Sequence, residues 1–263
     1  MIELILVTLG VGVIGFLFAP LGLGGGMLFV PLIHYVADWP IDGKLIAVSL
    51  ILTGVVSWGS GITHRKEKFV DDDKIGIALW GAIPGAILGV MVVQLFDDGI
   101  DFIFKSLSLV LISIALSKYL FSVKKPEIIV SEKDENIAGI AIGSGIGGML
   151  SSILAIGAGA IYVPCLEVFG KLKTRLAIGS SLNIMMIVVP IAAISHILIL
   201  SSNQLELILE NLIFIIMLVI LTFTGAKLGA SFGIKNISEN RIRQAFISIL
   251  VIIWIRYLFD IIL

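Results

Sequence analysis

A glycine-rich break inside an apolar run, present twice, constrains the possible folds of this chain more than any other feature. The first copy lies between Pro20 and Pro31, and the second lies in the later half of the chain. Glycine and proline both disfavour a continuous helix or strand, so each run should be interrupted here. The matching residues, at one constant offset, are Gly24, Gly26, Val30 and Pro31 in the first copy and Gly157, Gly159, Val163 and Pro164 in the second. The sequence therefore predicts two corresponding halves.

The apolar runs around the breaks are long enough to cross a membrane. Hydrophobic residues make up 58% of the 263 residues and charged residues only 14%, against about 25% charged residues in a soluble domain. Runs near the ~20 residues that span a bilayer recur as far as the C-terminus. The chain is therefore predicted to be an all-α polytopic membrane protein. Its formal net charge of −1 gives no reason to expect a nucleic-acid partner.

Each half is predicted to contain one broken run and three further helices. After the first broken run these lie near Leu45–His64, Ile75–Phe96 and Ile100–Phe121, and after the second they lie near Thr174–Leu200, Leu207–Phe232 and Arg241–Ile262. A polar segment at 123–136 is the predicted linker between a first repeat at 1–122 and a second at 137–263. Gly85–Gly89 also matches Gly225–Gly229, which supports a duplication. Many transporters are built from such repeats, with the binding site between them near the bilayer midplane.

Lys and Arg residues are concentrated in four of the connections between helices. The groups are Arg65, Lys66, Lys68 and Lys74; Lys118, Lys124, Lys125 and Lys133; Lys171, Lys173 and Arg175; and Lys235, Arg241 and Arg243. If each broken run is a re-entrant hairpin, all four groups and the central linker face the cytoplasm of a cell-membrane protein. The halves then form an inverted repeat with six full spans. A seven-span arrangement, in which only the second broken run returns, satisfies the charges nearly as well.

The tips of the two hairpins are the predicted binding site for a small anion. A helix that begins just after a break has unpaired N–H groups and a macrodipole worth roughly half a positive charge. Inverted hairpins would aim two such helix ends, one starting near Met27 and one near Ala160, at one point. The candidate residues at the tips are Gly24, Gly25, Gly26, Gly157, Ala158 and Gly159. Candidate donors on the following helices are Ser49, Thr53, Ser180, Ser181 and Asn183, for which helix packing is the alternative role.

Few ionisable residues fall inside the apolar runs, and those that do are candidates for a functional role. His34 and Glu167 stand three residues after the paired prolines Pro31 and Pro164. They are candidates for coupling to a proton or another ion, with an interfacial position as the alternative. His196 is expected close to the opposite surface. The expected partners are the anion, the bilayer, a coupling ion and, in a homodimer, a second copy of the chain; no cofactor, metal or catalytic residue is expected.

The glycine breaks, the serine–leucine stretches at Ser49 and Ser181, the Gly-Ala-x-Leu-Gly pair and the duplication together resemble the TauE/SafE family of sulfite exporters. The similarity extends over nearly the whole chain. It implies a secondary membrane transporter that exports sulfite, organosulfonates or related sulfur oxyanions, whereas the residues themselves indicate only an anion. The second copy departs from the first because Ala158 replaces the middle glycine.

Two other function classes compete with a carrier. A passive anion channel is the stronger alternative, because channels and carriers can share binding sites at helix ends. An intramembrane enzyme is disfavoured because the helices contain no His-Glu-x-x-His motif, no Gly-x-Ser-x-Gly motif and no cluster of Asp with His. A dinucleotide site is excluded because the glycines lie in a membrane-length apolar run without the preceding strand that such a site requires.

Overall fold

The computed structural model of the chain describes residues 2–21, 25–96, 99–120, 135–157, 159–236 and 239–262. All regular structure in these ranges is helical, as the sequence predicts. The first half contains α1 (Ile2–Phe18), a 3-10 turn (Ala19–Leu21), α2 (Gly26–Ala37), α3 (Gly43–Lys66), α4 (Asp72–Leu95) and α5 (Ile100–Leu120). The second half contains α6 (Ile137–Leu154), α7 (Gly159–Val168), α8 (Thr174–Ile199), α9 (Ser202–Glu210), α10 (Leu212–Asn236) and α11 (Glu239–Ile262). Most of the predicted linker, at 123–134, lies outside the described residues.

Helix starts and the breaks follow from local chemistry. The side chains of Asp42, Asp71 and Asn136 each accept a hydrogen bond from a backbone N–H in the first turn of α3, α4 and α6. Such caps satisfy one of the N–H groups that a helix start leaves unpaired. In the breaks, Gly25 and Gly157 have φ angles of +69° and +70°. This left-handed conformation suits glycine and reverses the chain sharply at both points.

Five helices in the described part of the chain are long and apolar enough to span a membrane. They are Gly43–Lys66, Asp72–Leu95, Ile137–Leu154, Thr174–Ile199 and Leu212–Phe232. The prediction of a multi-pass helical protein is thus confirmed. With 12 and 10 residues, α2 and α7 are short; at ~1.5 Å per residue, neither covers the roughly 30 Å hydrocarbon core. The helices α5 and α11 fall outside the set of five, so their role as full spans stays a prediction.

The second half contains a helix that the sequence analysis did not separate from its neighbour. A single helix was predicted from Leu207 to Phe232, but α9 ends at Glu210 and α10 begins at Leu212. Ser201 starts α9 with a capping box, in which its hydroxyl and the Gln204 side chain bond to each other's backbone N–H groups. Only Glu210 and Asn211 separate the apolar residues of α9 from those of α10, so the hydropathy pattern does not show the boundary.

Glycine-lined contacts join each half to the other at equivalent places. A Cβ atom added to Gly85 of α4 would overlap the carbonyl oxygen of Gly145 on α6, and one added to Gly225 of α10 would overlap that of Gly12 on α1. Gly85 and Gly225 open the two matched Gly-Ala-x-Leu-Gly stretches, and Gly12 and Gly145 are separated by the same offset as the two breaks. The two contacts therefore repeat each other. Since small residues allow helix backbones to approach this closely, α4 packs on α6 of the other half and α10 packs on α1.

The helices before and after the second break lie side by side in opposite directions. The backbone N–H of Asn136, before α6, donates to the carbonyl oxygen of Phe169, after α7, at 3.1 Å. Farther along α6, a Cβ atom added to Gly147 would lie 2.6 Å from the ring of Tyr162 on α7. The broken run therefore folds back on itself.

The first broken run pairs in the same sense. An added Cβ atom on Gly25 would lie 2.9 Å from the side chain of Ile14, and one on Gly10 would lie 2.8 Å from Leu32. Residues closer to the start of α1 thus contact residues closer to the end of α2. The start of α1 and the end of α2 consequently lie on the same side of the bundle.

The contacts between α3 and α8 define two ends of the bundle. Arg65, in the last turn of α3, donates through Nε to the side-chain oxygen of Asn183, in the first half of α8, at 2.9 Å. At the other end, a Cβ atom added to Gly43 at the start of α3 would lie 3.1 Å from Leu200, just after α8. We call the first of these the basic end and the second the opposite end. Two of the predicted basic groups lie in or beside the connections at the basic end: Arg65, Lys66, Lys68 and Lys74, and Lys171, Lys173 and Arg175.

Candidate functional site

The two breaks meet in the interior of the molecule. A Cβ atom added to Gly26, the first residue of α2, would overlap the carbonyl oxygen of Ala155 and would lie 2.8 Å from the carbonyl carbon of Ile156. Ala155 and Ile156 belong to the second break, and both are buried. The start of α2 therefore rests directly on the backbone of the second break. We refer to this place as the meeting point.

Thr53 of α3 lies at the meeting point and contacts both breaks. Its hydroxyl donates a hydrogen bond to the carbonyl oxygen of Ala155 at 3.1 Å, and its side chain is fully buried. Cβ atoms added to Gly26 and Gly157 would each lie 2.6 Å from the Thr53 side chain. Met185 of α8, the counterpart of Thr53 in the repeat, places its sulfur 3.0 Å from the added atom on Gly157. Equivalent positions on α3 and α8 thus enclose the second break.

Two helices begin at the breaks. α2 begins at Gly26 and α7 at Gly159, each within one residue of the starts expected at Met27 and Ala160. Gly25, which precedes α2, has no side chain that could satisfy the first N–H groups of that helix. A helix start of this kind combines unpaired N–H groups with the positive end of the helix dipole. An anion can be bound there without a basic side chain.

Ser49 adds a buried hydroxyl on the same face of α3. It precedes Thr53 by four residues, which places the two side chains one above the other on a helix. The Ser49 side chain is fully buried, and its oxygen has no hydrogen-bond partner among the described residues. Buried hydroxyls are normally paired, so Ser49 stays a candidate donor for a ligand. Two further candidates, Gly24 and Ala158, lie outside the described residues.

The three candidates on α8 are engaged elsewhere. The Ser180 hydroxyl accepts a hydrogen bond from the backbone N–H of Asp71 at 2.9 Å, and Asn183 accepts one from Arg65 at 2.9 Å. Ser181 donates to a carbonyl oxygen of its own helix at 2.8 Å. The bonds of Ser180 and Asn183 hold the connection between α3 and α4 against α8. Among the described residues, the structure does not bring the three side chains into hydrogen-bond contact with the breaks.

The two candidates for coupling lie at the ends of the short helices, away from the meeting point. His34, near the end of α2, makes a hydrogen bond through Nδ1 to the carbonyl oxygen of Trp39 at 2.7 Å. Glu167, near the end of α7, accepts a hydrogen bond from the hydroxyl of Thr174 at 2.7 Å. Both side chains thus bond to the chain that leaves each broken run, and a role in coupling stays a prediction.

Sequence reasoning missed side chains that bind the backbone of the breaks. Ser60 of α3 donates to the carbonyl oxygen of Ala19 at 2.5 Å, and His196 of α8 bonds through Nε2 to that of Ser152 at 3.0 Å. His196 lies in the last turn of α8, and its side chain is fully buried within the bundle. The sequence did contain a signal for His196. His64 and His196 are separated by the same number of residues as Ser49 and Ser181, the serines of the matched serine–leucine stretches.

Comparison with known families decides the class of protein. The family model described as "Sulfite exporter TauE/SafE" matches residues 7–257, which include both breaks. The chain belongs to the TauE/SafE family. The TauE/SafE resemblance inferred from the sequence is therefore confirmed.

Relatives of this TauE/SafE protein are named as transporters. A Haemophilus influenzae protein named "Probable membrane transporter protein" is 31% identical over 192 residues, which cover 69% of each chain. "Probable membrane transporter protein YunE" of Bacillus subtilis is 25% identical over 253 residues, or 88% of each chain. No solved structure matches the chain. Family and relatives together place this TauE/SafE protein among multi-pass membrane transporters.

Proposed function

We propose that this TauE/SafE protein is a secondary transporter that exports small anions, with sulfite, organosulfonates or related sulfur oxyanions as the substrate class. The contact of Gly26 with Ala155 carries the proposal, because it brings the two breaks together where two helix starts can serve one ligand. An anion held there would receive hydrogen bonds from the first N–H groups of α2 and α7. The hydroxyl of Ser49 would add a donor on one side.

The same proposal includes the orientation of the chain in the membrane. Each broken run is a re-entrant hairpin, and the two hairpins enter from opposite faces. The contact of Asn136 with Phe169 supports this, since it brings both ends of the second broken run to the basic end. The ion pair between Lys74 and Glu135 brings the start of α4 to the same end. The positive-inside tendency then places the basic end in the cytoplasm.

The six-span and seven-span arrangements differ in the path of the first broken run. Because Gly10 lies against Leu32, the start of α1 and the end of α2 lie on the same side of the bundle. This pairing supports a run that enters and leaves on one face. We therefore favour six full spans, with both termini on the face opposite the basic end.

Transport by purified protein in liposomes tests the function. Radiolabelled sulfite should cross the membrane with saturable kinetics, and unlabelled sulfite on the other side should stimulate counterflow, as a carrier requires and a channel does not. Thiosulfate, sulfate and methanesulfonate serve as competitors and define the substrate class. Flux that never saturates and shows no counterflow would support a channel instead. Absence of flux for all four anions would overturn the proposal.

Single-cysteine labelling tests the orientation. Cys165 is the single cysteine of the chain, so Cys165→Ala gives a clean background for Lys66→Cys at the basic end, Ser202→Cys at the opposite end and Glu3→Cys in α1. Membrane-impermeant reagent added to whole cells should label the Ser202 and Glu3 variants but not the Lys66 variant. Labelling of Lys66 and Ser202 from the same face would contradict the inverted arrangement, and protection of Glu3 would favour seven spans.

A further inference from the structure

The two halves bond the same carbonyl position of each break to a neighbouring helix. In the first half the acceptor is the carbonyl oxygen of Ala19, bonded by Ser60 of α3, and in the second it is that of Ser152, bonded by His196 of α8. Ala19 precedes Gly24 by as many positions as Ser152 precedes Gly157. The acceptors are thus equivalent in the repeat, although the donors differ in kind.

The histidines on the two helices are also equivalent, and the acceptors fix where their hydrogens lie. A carbonyl oxygen can only accept, so His196 carries a hydrogen on Nε2. His64 carries one on Nδ1, which lies 3.1 Å from the carbonyl oxygen of Ser60 and 3.4 Å from its hydroxyl oxygen. The Ser60 hydroxyl cannot donate to a nitrogen that already bears a hydrogen, and it donates to Ala19 instead. His64 therefore orients Ser60.

The donors differ because of one substitution between the halves. Ala192 stands in α8 where Ser60 stands in α3, since each lies four positions before the histidine of its helix. Without a hydroxyl at that position, His196 itself bonds to the break. In the first half the histidine acts through the serine, and in the second it acts directly.

These bonds matter because a break presents groups of both signs. The helix that ends at a break leaves carbonyl oxygens with partial negative charge, and the helix that begins there leaves N–H groups with partial positive charge. Free carbonyl oxygens at broken membrane helices bind cations in transporters and would repel an anion. A donor on each oxygen removes this competition. Thr53 does so for Ala155 at the meeting point, and Ser60 lies about two turns farther along α3, ~10 Å toward the basic end.

We propose that Ser60, His64 and His196 are positioning residues that make the breaks selective for anions by occupying the carbonyl oxygens of Ala19 and Ser152. The inference rests on the proposed function, since it assumes that an anion passes along the breaks. It assigns a role to three buried side chains that the anion itself need not touch. Their loss should weaken the apparent affinity for the anion more than the turnover rate.

The test measures KM and kcat for sulfite in liposomes with variants of Ser60. Ser60→Ala should raise KM at least about fivefold, as expected for one lost hydrogen bond that leaves its acceptor free, with kcat changed less than twofold. Ser60→Thr keeps the hydroxyl and should restore KM. Ser57→Ala is the matched control, because the Ser57 hydroxyl is buried on the same helix and donates to the carbonyl oxygen of Thr53 at 2.9 Å, inside α3; its KM should equal that of the wild type.

The histidines extend the test to both halves. His196→Leu removes the donor of the second break and should raise KM as Ser60→Ala does, whereas His64→Leu should have a smaller effect because Ser60 keeps its hydroxyl. If Ser60→Ala does not reach the membrane, Ser60→Cys keeps the side-chain size with a weaker donor and should raise KM in the same direction.

The outcomes separate this inference from the proposed function. Wild-type KM values in Ser60→Ala and His196→Leu, at wild-type thermal stability, would overturn the inference and leave the proposed function standing. An equal rise in KM for Ser57→Ala, or a loss of kcat alone, would indicate a general structural role and would also overturn it. If the wild-type protein transports none of sulfite, thiosulfate, sulfate and methanesulfonate, both the inference and the proposed function would be overturned.

Discussion

The meeting point of the breaks and the polar cluster at the opposite end use different kinds of polar group. In the cluster, Tyr35 of α2 donates to Asp260 of α11 at 2.7 Å, and Lys105 of α5 lies 2.9 Å from Asp101 and 3.3 Å from Asp260. Arg256 lies 3.5 Å from the same Asp260 carboxylate. Each charge in the cluster therefore has a counter-charge within the protein.

At the meeting point, the groups that the structure describes are uncharged. They are backbone N–H and carbonyl groups, and the hydroxyls of Ser49 and Thr53. An anion can bind to uncharged donors without displacing a carboxylate, whereas at the cluster it would have to compete with Asp260 for Lys105. The comparison shows that in the cluster full charges tie helices together, whereas under the proposed function partial charges at the meeting point bind the substrate.

The largest effect is expected from a side chain placed between the breaks. In Gly26→Ala the new Cβ would overlap the carbonyl oxygen of Ala155 and lie 2.6 Å from the Thr53 hydroxyl oxygen. Backbone atoms of the second break leave no room to relax, so the free energy of unfolding should fall by at least about 3 kcal/mol. Membrane abundance and thermal unfolding of the detergent-solubilised protein measure this. Gly76→Ala on α4, where an added Cβ meets nothing within 4 Å, is the control; wild-type stability of Gly26→Ala would contradict the contact between the breaks.

A smaller loss is expected at the opposite end. Asp260→Asn keeps one acceptor oxygen for Tyr35 but removes the negative charge that pairs with Lys105, a residue that is only 7% exposed. Because Lys105 keeps Asp101, the free energy of unfolding should fall by only about 1–2 kcal/mol, with KM for sulfite unchanged. Thermal unfolding and transport kinetics check the two parts. A large rise in KM at unchanged stability would instead place the substrate at the cluster.

At the meeting point itself, Thr53→Val should separate binding from folding. The substitution keeps the side-chain shape but leaves the carbonyl oxygen of Ala155 without its donor. The free energy of unfolding should fall by about 1 kcal/mol, while KM for sulfite rises about tenfold because the break gains a free acceptor. Thr53→Ser, which keeps a hydroxyl, should stay close to the wild type in both measurements. Equal KM values for the valine and serine variants would rule out this role of the hydroxyl.

The smallest effect is expected at Asn183, which the sequence placed in the binding site. In the structure its side chain bonds to Arg65, whose own side chain is 51% exposed and also pairs with Asp72. Asn183→Ala should therefore lower the free energy of unfolding by about 0.5 kcal/mol and leave KM unchanged. Measured beside Thr53→Val, it shows whether the donors of α8 share in binding. A tenfold rise in KM for sulfite in Asn183→Ala would indicate that Asn183 takes part in substrate binding.

The sequence predicted the breaks well because their causes are local. A glycine that adopts positive φ and a proline near a helix start act within a few residues, so the helix starts at Gly26 and Gly159 were placed to within one residue. The repeat also indicated which segments correspond. Hydropathy alone could not find the end of α9 at Glu210, because apolar residues continue on both sides of it.

The partners of the candidate donors could not be predicted in the same way. A repeat shows that Ser49 and Ser181 occupy equivalent places, but each side chain bonds to whatever the fold brings near it. Ser181 finds a carbonyl oxygen in its own helix, whereas Ser49 finds no partner in the described ranges. The same offset also pairs His64 with His196. It would have identified the two histidines that lie beside the hydrogen bonds to the breaks.

The exchanged glycine contacts have a consequence for how such a protein can be made. In the described part of the first half, the surface of α4 that fits Gly145 and the surface of α1 that fits Gly225 both have their partners in the second half. Under the proposed inverted arrangement, one half produced by itself would need a second copy in the opposite orientation to fill these surfaces. Severing the chain in the polar linker and supplying the pieces together should therefore regenerate the assembly, whereas neither piece would persist alone.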